Sequence, residues 1–136
     1  MLAQTTGYAI QALGFLATQS TPVLIRNVAK ATGIPPSYLA KIMHLLARKG
    51  IVRTKRGTRG GVQLAPGAEK LSFYEVAVLM DDPVVAMRCM LGTEPCSPNR
   101  NCPCHEFWSK QRERELAMLK RKSIAHMARF LKRRSK

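Results

Sequence analysis

A mainly α-helical fold carrying one small β-hairpin is predicted by three features of the 136-residue sequence. Apolar residues recur at three- and four-residue spacing through most of the chain, the period of a helix buried along one face. One pair of short strand-like runs, IVRTK and VQLA, breaks that period and is joined by RGTRGG. From residue 105 onward the chain contains neither glycine nor proline, so one long helix is expected there.

The elements follow in order. Thr5 and Thr6 are placed to cap a first helix, in which Ile10, Leu13, Leu16 and Ala17 recur at helical spacing. Ile25, Val28 and Ala29 mark a short second helix that stops at Gly33. Pro35 and Pro36 then open a third, since proline fits a first turn but not a helix interior. Leu39, Ile42, Met43 and Leu46 give that helix its apolar stripe, and Gly50 ends it. Two helices joined by a glycine-containing turn make a helix-turn-helix. The hairpin that follows, with Arg56 and Arg59 at its tip, makes the wing. Ser72 and Glu75 have capping-box spacing at the head of LSFYEVAVLM, and Asp81-Asp82-Pro83 ends that helix. The long terminal helix carries Leu116, Leu119, Ile124, Met127 and Leu131 on one edge, an arrangement suited to pairing with a second subunit. The predicted organisation is a winged helix-turn-helix over residues 1–83, a cysteine-rich loop over 84–104, and a dimerisation helix with a basic tail over 105–136.

Charge narrows the function. Lys plus Arg number 23 against 8 acidic residues, a formal net charge of +15. Such an excess on a small domain points to a polyanionic partner, here double-stranded DNA. Ser37, Tyr38 and Lys41 lie in the first turns of the third helix, the part of a recognition helix that approaches base edges, and Arg56 and Arg59 are placed for phosphates or a minor groove. No apolar run approaches the roughly 20 residues of a membrane span. The first residues also lack the basic segment and cleavage site of a secretory signal, so a cytoplasmic location is expected. No Ser/His/Asp set, paired carboxylates in a catalytic motif or phosphate-cradling glycine loop occurs, which argues against an enzyme. His44 and His126 read as surface or packing residues, and Met80, Met87 and Met90 as core or linker filler.

All four cysteines fall between residues 89 and 104, beside His105 and Trp108. A disulfide staple, a structural zinc site and an iron–sulfur cluster all use such a window. A reducing compartment disfavours the first. Thiolates with one imidazole suit either of the others. Intervals of six, five and one residues between successive cysteines depart from the paired C-x-x-C knuckles usual for zinc.

TTGYAIQAL, IPPSYLAKIMHLLARKGIVRTKRGTRGGVQLA and LSFYEV, in this order, resemble the Rrf-two family of winged-helix transcriptional regulators over nearly the whole chain, including its IscR- and NsrR-type iron–sulfur branches. The resemblance implies a homodimeric repressor or activator with a long C-terminal helix at the dimer interface. Cluster-binding members carry three cysteines before that helix, which implies Cys89, Cys96 and Cys102 as ligands here. In one branch a histidine three residues after the third cysteine completes the set, implying His105, with Cys104 as the alternative fourth ligand. The cofactor so implied is an iron–sulfur cluster, 2Fe-2S in preference to 4Fe-4S, with zinc as the alternative. The chain departs from the pattern by a six-residue first interval where five is usual. Gly7 stands where another branch uses an aspartate ligand, and Ala40 stands where some members have an acidic residue that tunes operator choice.

Overall fold

A computed structural model describes residues 2–86, 88–91 and 94–134; Met87 and the last two residues of the basic tail lie outside the described residues. The elements are α1 (Gln4–Ala17), α2 (Ile25–Thr32), α3 (Pro36–Arg48), β1 (Val52–Lys55), β2 (Gly61–Leu64), α4 (Phe73–Leu79), α5 (His105–Arg121) and α6 (Ile124–Arg134). Short 3-10 turns at Ala68–Lys70 and Pro98–Arg100 complete the chain. The predicted class holds: helices surround one antiparallel hairpin in which Val52 faces Leu64 and Lys55 faces Gly61.

The main core forms where α1, α2, α3, the hairpin and α6 meet. Leu13, Leu16, Val28, Leu39, Met43, Leu46, Val52, Val62 and Ile124 are all buried in it. Each such side chain contributes on the order of 1.5–3 kcal/mol when removed from water. The hairpin is held by more than its own ladder. Val23, ahead of α2, exchanges both backbone hydrogen bonds with Val62, at 2.9 and 2.8 Å. Gly61 makes that approach possible, since its φ of 141° is open to glycine and a Cβ there would run into the Val23 carbonyl.

Two local expectations are corrected. Thr5 and Thr6 lie inside α1 rather than capping it. The capping residue is Ala3, whose N–H donates to Asp82 Oδ2 at 2.9 Å. Asp82 is 2% exposed, and its other oxygen accepts the Val84 N–H at 2.9 Å. A carboxylate from beyond α4 thus satisfies an orphan donor at the positive end of α1.

The C-terminal stretch is not one helix. It breaks at Lys122, which is extended, and Ser123. There Phe73 N–H donates to Lys122 O at 2.8 Å and Ile124 N–H to Leu71 O at 2.9 Å, so the backbone groups freed by the break are satisfied by the segment before α4. Ser123 then caps α6 reciprocally with His126: the Ser123 N–H donates to His126 Nδ1 at 3.0 Å, and the His126 N–H to Ser123 Oγ at 3.4 Å. His126 is therefore a capping residue.

The two halves have different neighbours. α6 packs on α1, where a Cβ on Gly14 would lie 2.5 Å from Met127 Cγ. α5 packs on α4, burying Leu119 with Ala77 and Val84, and Lys120 lies 4.8 Å above the Tyr74 ring. Ser72 caps α4 as expected, its Oγ accepting the Glu75 N–H at 3.0 Å. Met80 packs against the main core, whereas Met90 is half exposed.

Candidate nucleic-acid interface and metal centre

Leu39, Ile42, Met43 and Leu46 occupy one face of α3 and are buried. Helical geometry therefore turns Ser37, Tyr38, Ala40, Lys41 and His44 outward, and all five are exposed. Pro36 opens the helix and no side chain caps it, which leaves first-turn N–H groups and the positive end of the dipole open to an anion. Tyr38 is 53% exposed, and its ring meets Tyr8 of α1 edge-on, with centroids 6.2 Å apart at 68°. Tyr8 was not singled out from the sequence, because nothing in the period of α1 marks it as a partner of α3. Arg56 and Arg59 are exposed in the turn between β1 and β2.

The distribution of charge is sharper than its total. Residues 1–68, which build α1 to α3 and the wing, contain nine Lys and Arg and no Asp or Glu. All eight acidic residues lie from Glu69 onward. The predicted reading elements thus carry positive charge with no acidic residue of their own, the electrostatic footprint of a phosphate-binding face.

The thiol loop connects α4 to α5. Arg88 bridges to Pro95, the Cys89 N–H donates to Glu94 O at 2.8 Å, and the loop folds back on itself there. Arg100 holds the fold, its Nε 3.2 Å from Glu94 Oε2 and a terminal nitrogen 3.4 Å from Pro95 O. From α5, Trp108 Nε1 donates to Arg88 O at 3.0 Å, tying the loop to the helix.

The donors meet in pairs. Cys89 Sγ lies 3.6 Å from Cys102 Sγ, and Cys96 Sγ lies 3.2 Å from His105 Nδ1. Cys89 is 7% exposed, while the other three cysteines are half-buried. Among the described residues, no three His, Cys, Asp or Glu side chains converge as one metal-holding group. The four residues implied by the resemblance are therefore brought together two by two. The Cys104 backbone holds the Cys102 thiol below the usual cysteine value, with the Cys89 thiol and the Arg100 charge acting in the same direction against desolvation.

These donors fit a metal group. Two thiolates on one tetrahedral ion, with bonds of about 2.3 Å, would sit about 3.8 Å apart, close to the 3.6 Å between Cys89 and Cys102. Three thiols and an imidazole form a soft donor set suited to zinc or to iron–sulfur clusters.

Comparison with known proteins agrees with the folded architecture. The Rrf2 family, described as iron-dependent transcriptional regulator, matches residues 2–129. The chain is 33% identical over 113 residues to an Aquifex aeolicus protein described as an HTH-type transcriptional regulator, covering 81% of this chain and 78% of that one. It is 30% identical over 122 residues to the HTH-type transcriptional regulator IscR of Yersinia pseudotuberculosis, covering 88% and 74%. In three dimensions it is similar to CymR, the global cysteine regulator of B. subtilis, with TM-score 0.74, 17% identity, and 96% and 97% coverage. It is likewise similar to T. potens IscR, with TM-score 0.72, 19% identity, and 100% and 91% coverage. Among the described residues no helix is long and apolar enough to cross a membrane. The expectation of a non-enzymatic regulator is met, and the chain belongs to the Rrf2 family of DNA-binding transcriptional regulators.

Proposed function

We propose that operator binding by this regulator is controlled by an iron–sulfur cluster held by Cys89, Cys96, Cys102 and His105, with Cys104 as the alternative fourth ligand. The observation that carries this reading is the pairing of four soft donors, Cys89 with Cys102 and Cys96 with His105, on the loop between α4 and α5 and the first residue of α5. Mixed thiolate and imidazole ligation has its precedent on two-iron clusters, which favours 2Fe-2S over 4Fe-4S. When bound, such a group supplies a redox-sensitive, exchangeable cross-link within the loop.

The protein's own residues do the rest. Cys89 follows the α4 linker and Cys102 precedes α5, so holding their sulfurs together constrains the approach of α4 to α5. Asp82 extends that constraint to the winged helix, since the same linker residue binds the N-terminus of α1. Ser37, Tyr38 and Lys41 present the α3 surface to base edges, and Arg56 and Arg59 reach phosphates or the adjacent minor groove. A second copy of the chain completes the operator reader. Phe107 and Met118, three turns apart on one side of α5, are 61% and 38% exposed, and Val78 of α4 is 46% exposed. Burying these against a partner places two heads on half-sites about one helical turn, or a multiple, apart.

Purification under nitrogen tests the proposal. Brown protein with iron and sulfide bound, whose operator affinity changes when the iron is chelated, is the expected result. Equal affinity of the holo and apo forms at matched salt would end the sensor reading. A monomer by light scattering that still binds the operator would end the dimer. A second reading is a zinc-stabilised or metal-free DNA-binding protein with no sensory role. It is favoured by the 3.6 Å between the Cys89 and Cys102 sulfurs, close to the separation of two thiolates on one tetrahedral zinc ion. Colourless protein with one zinc per chain would establish it.

A further inference from the structure

We infer that Cys89 and Cys102 are the site of a reversible disulfide that forms when the metal-free chain meets a peroxide. This goes beyond the reading above, and it holds whether the metal displaced is a cluster or zinc. The four cysteines are free thiols. Only Cys89 is sealed from solvent, at 7% exposure, while its contact partner Cys102 is half-buried on the outer side of the pair. Their sulfurs are already 3.6 Å apart. Closing them to the roughly 2.0 Å of a disulfide needs a movement of about 1.5 Å. Among its described residues, the intervening chain folds back at Arg88 and Pro95 and makes the 3-10 turn at Pro98–Arg100, and no α-helix or paired strand among them has to break. Cys96 is not an equivalent partner, because its sulfur contacts His105.

Exposure sets the order of the chemistry. The Cys102 thiolate attacks one oxygen of hydrogen peroxide, the O–O bond breaks, hydroxide leaves, and Cys102 becomes a sulfenic acid. The Cys89 sulfur then attacks the Cys102 sulfur. The S–O bond breaks and the oxygen leaves as water, carrying the Cys89 proton. The two thiols have together given two electrons to the peroxide. The product holds two of the metal donors in a covalent bond, so the chain cannot reload until a cellular dithiol reduces the disulfide by exchange. A transient disulfide of this kind is compatible with a reducing compartment, where lasting structural disulfides are rare.

The test uses the full-length chain, stripped of metal with chelator under reductant, desalted without air, and treated with one equivalent of hydrogen peroxide before alkylation. Two of the four thiols should be lost per chain, without dimer formation under denaturing conditions. Trypsin cuts after Arg88, Arg100 and Lys110, so the cross-link should join the Cys89–Arg100 peptide to the Asn101–Lys110 peptide. It should persist in Cys96→Ala and Cys104→Ala and vanish in Cys102→Ala. Repeating the reaction in urea should scatter the pairing, which a chemically driven pairing would not do. A wild-type cross-link confined to the Asn101–Lys110 peptide, four surviving thiols, or pairing unchanged by urea would each overturn the inference. The outcome is separable from the cluster proposal. Colourless native protein that forms this bond removes the cluster and keeps the disulfide. Brown native protein whose apo form keeps four thiols does the reverse.

Discussion

The winged helix and the thiol loop are held by different forces. The first is a contiguous apolar core in which Leu13, Leu39, Leu46 and Val28 are completely buried, and its geometry follows from side-chain volume. The second has Cys89 as its one buried cysteine and otherwise rests on a few polar contacts: Arg100 with Glu94, Trp108 with the Arg88 carbonyl, and two sulfur pairs. A reader of DNA has to keep its shape whatever the state of the cell. A sensor needs a part whose arrangement depends on a ligand, and segments with few buried apolar contacts are the ones that respond. The contrast also explains why α6 belongs with α1 and not with the loop: its apolar edge completes the rigid part.

The largest effect should come from breaking the rigid side. Leu13→Ala removes a fully buried side chain at the centre of the core and should cost about 2–5 kcal/mol in urea unfolding. Reconstitution of the metal site in the protein that remains folded should be little changed. If Leu13→Ala instead abolished metal binding without loss of stability, the two regions would not be separable in the way described.

Next come the changes on the thiol loop and on the proposed DNA-reading face. Cys102→Ala should eliminate bound metal and hold operator affinity at the apo level, a shift of about 5- to 150-fold from the holo form for an ordinary coupling energy of about 1–3 kcal/mol. Cys104→Ala should retain both metal and response if His105 is the fourth ligand; spectra of the two variants decide between the two residues. Arg56→Ala and Arg59→Ala should each weaken specific binding by about 1–3 kcal/mol, with folding unchanged. Titrations against operator and unrelated DNA over a range of salt separate base reading from phosphate contact. Unaltered operator affinity in both variants would remove the wing from recognition.

Ser123→Ala sharpens the comparison at the joint between the two regions. Loss of the cap on α6 should cost about 1 kcal/mol, seen as a small fall in the urea midpoint, with the metal spectrum intact. The smallest effect concerns pH. Because the Cys104 backbone, the Cys89 thiol and Arg100 hold the Cys102 thiol below the ordinary cysteine value, its thiolate persists to lower pH than that of an ordinary thiol. Alkylation of Cys102 in the apo protein should therefore fall off at a lower pH than alkylation of a model thiol. Arg100→Gln should move that fall upward only slightly, since the guanidinium acts behind the backbone and thiol contacts.

Much of the winged helix is readable from residues because its signals are local and agree. Pro35 and Pro36 start α3, Gly33 and Gly50 close the preceding and following turns, and the helical period of Leu39, Ile42, Met43 and Leu46 matches the face that is buried. The stop at Lys122 is different. No glycine or proline marks it, and the chain leaves the helix because Leu71 and Phe73, some fifty residues earlier, offer backbone partners. The Ser123 to His126 spacing was a capping signal, but it lay within an otherwise uninterrupted helical pattern. The N-terminus of α1 teaches the same point, since Thr5 and Thr6 were locally suitable caps and a distant Asp82 serves instead.

Sequence alone determined the number and kind of the candidate reading elements and the positive charge they carry. These depend on periodicity, turn chemistry and composition, which are properties of neighbouring residues. The choice of Cys89, Cys96, Cys102 and His105 as candidate metal donors is what the family resemblance implies. Only the tertiary structure decided that Tyr8 meets Tyr38 edge-on, that α6 joins the core of the winged helix while α5 stands on α4, and that Cys89 meets Cys102 while Cys96 meets His105. Each of these is a contact between residues distant along the chain or across an irregular loop, where spacing limits reach without selecting a partner. The selection is made by which backbone groups must find hydrogen bonds and which apolar faces must be covered once the chain has closed.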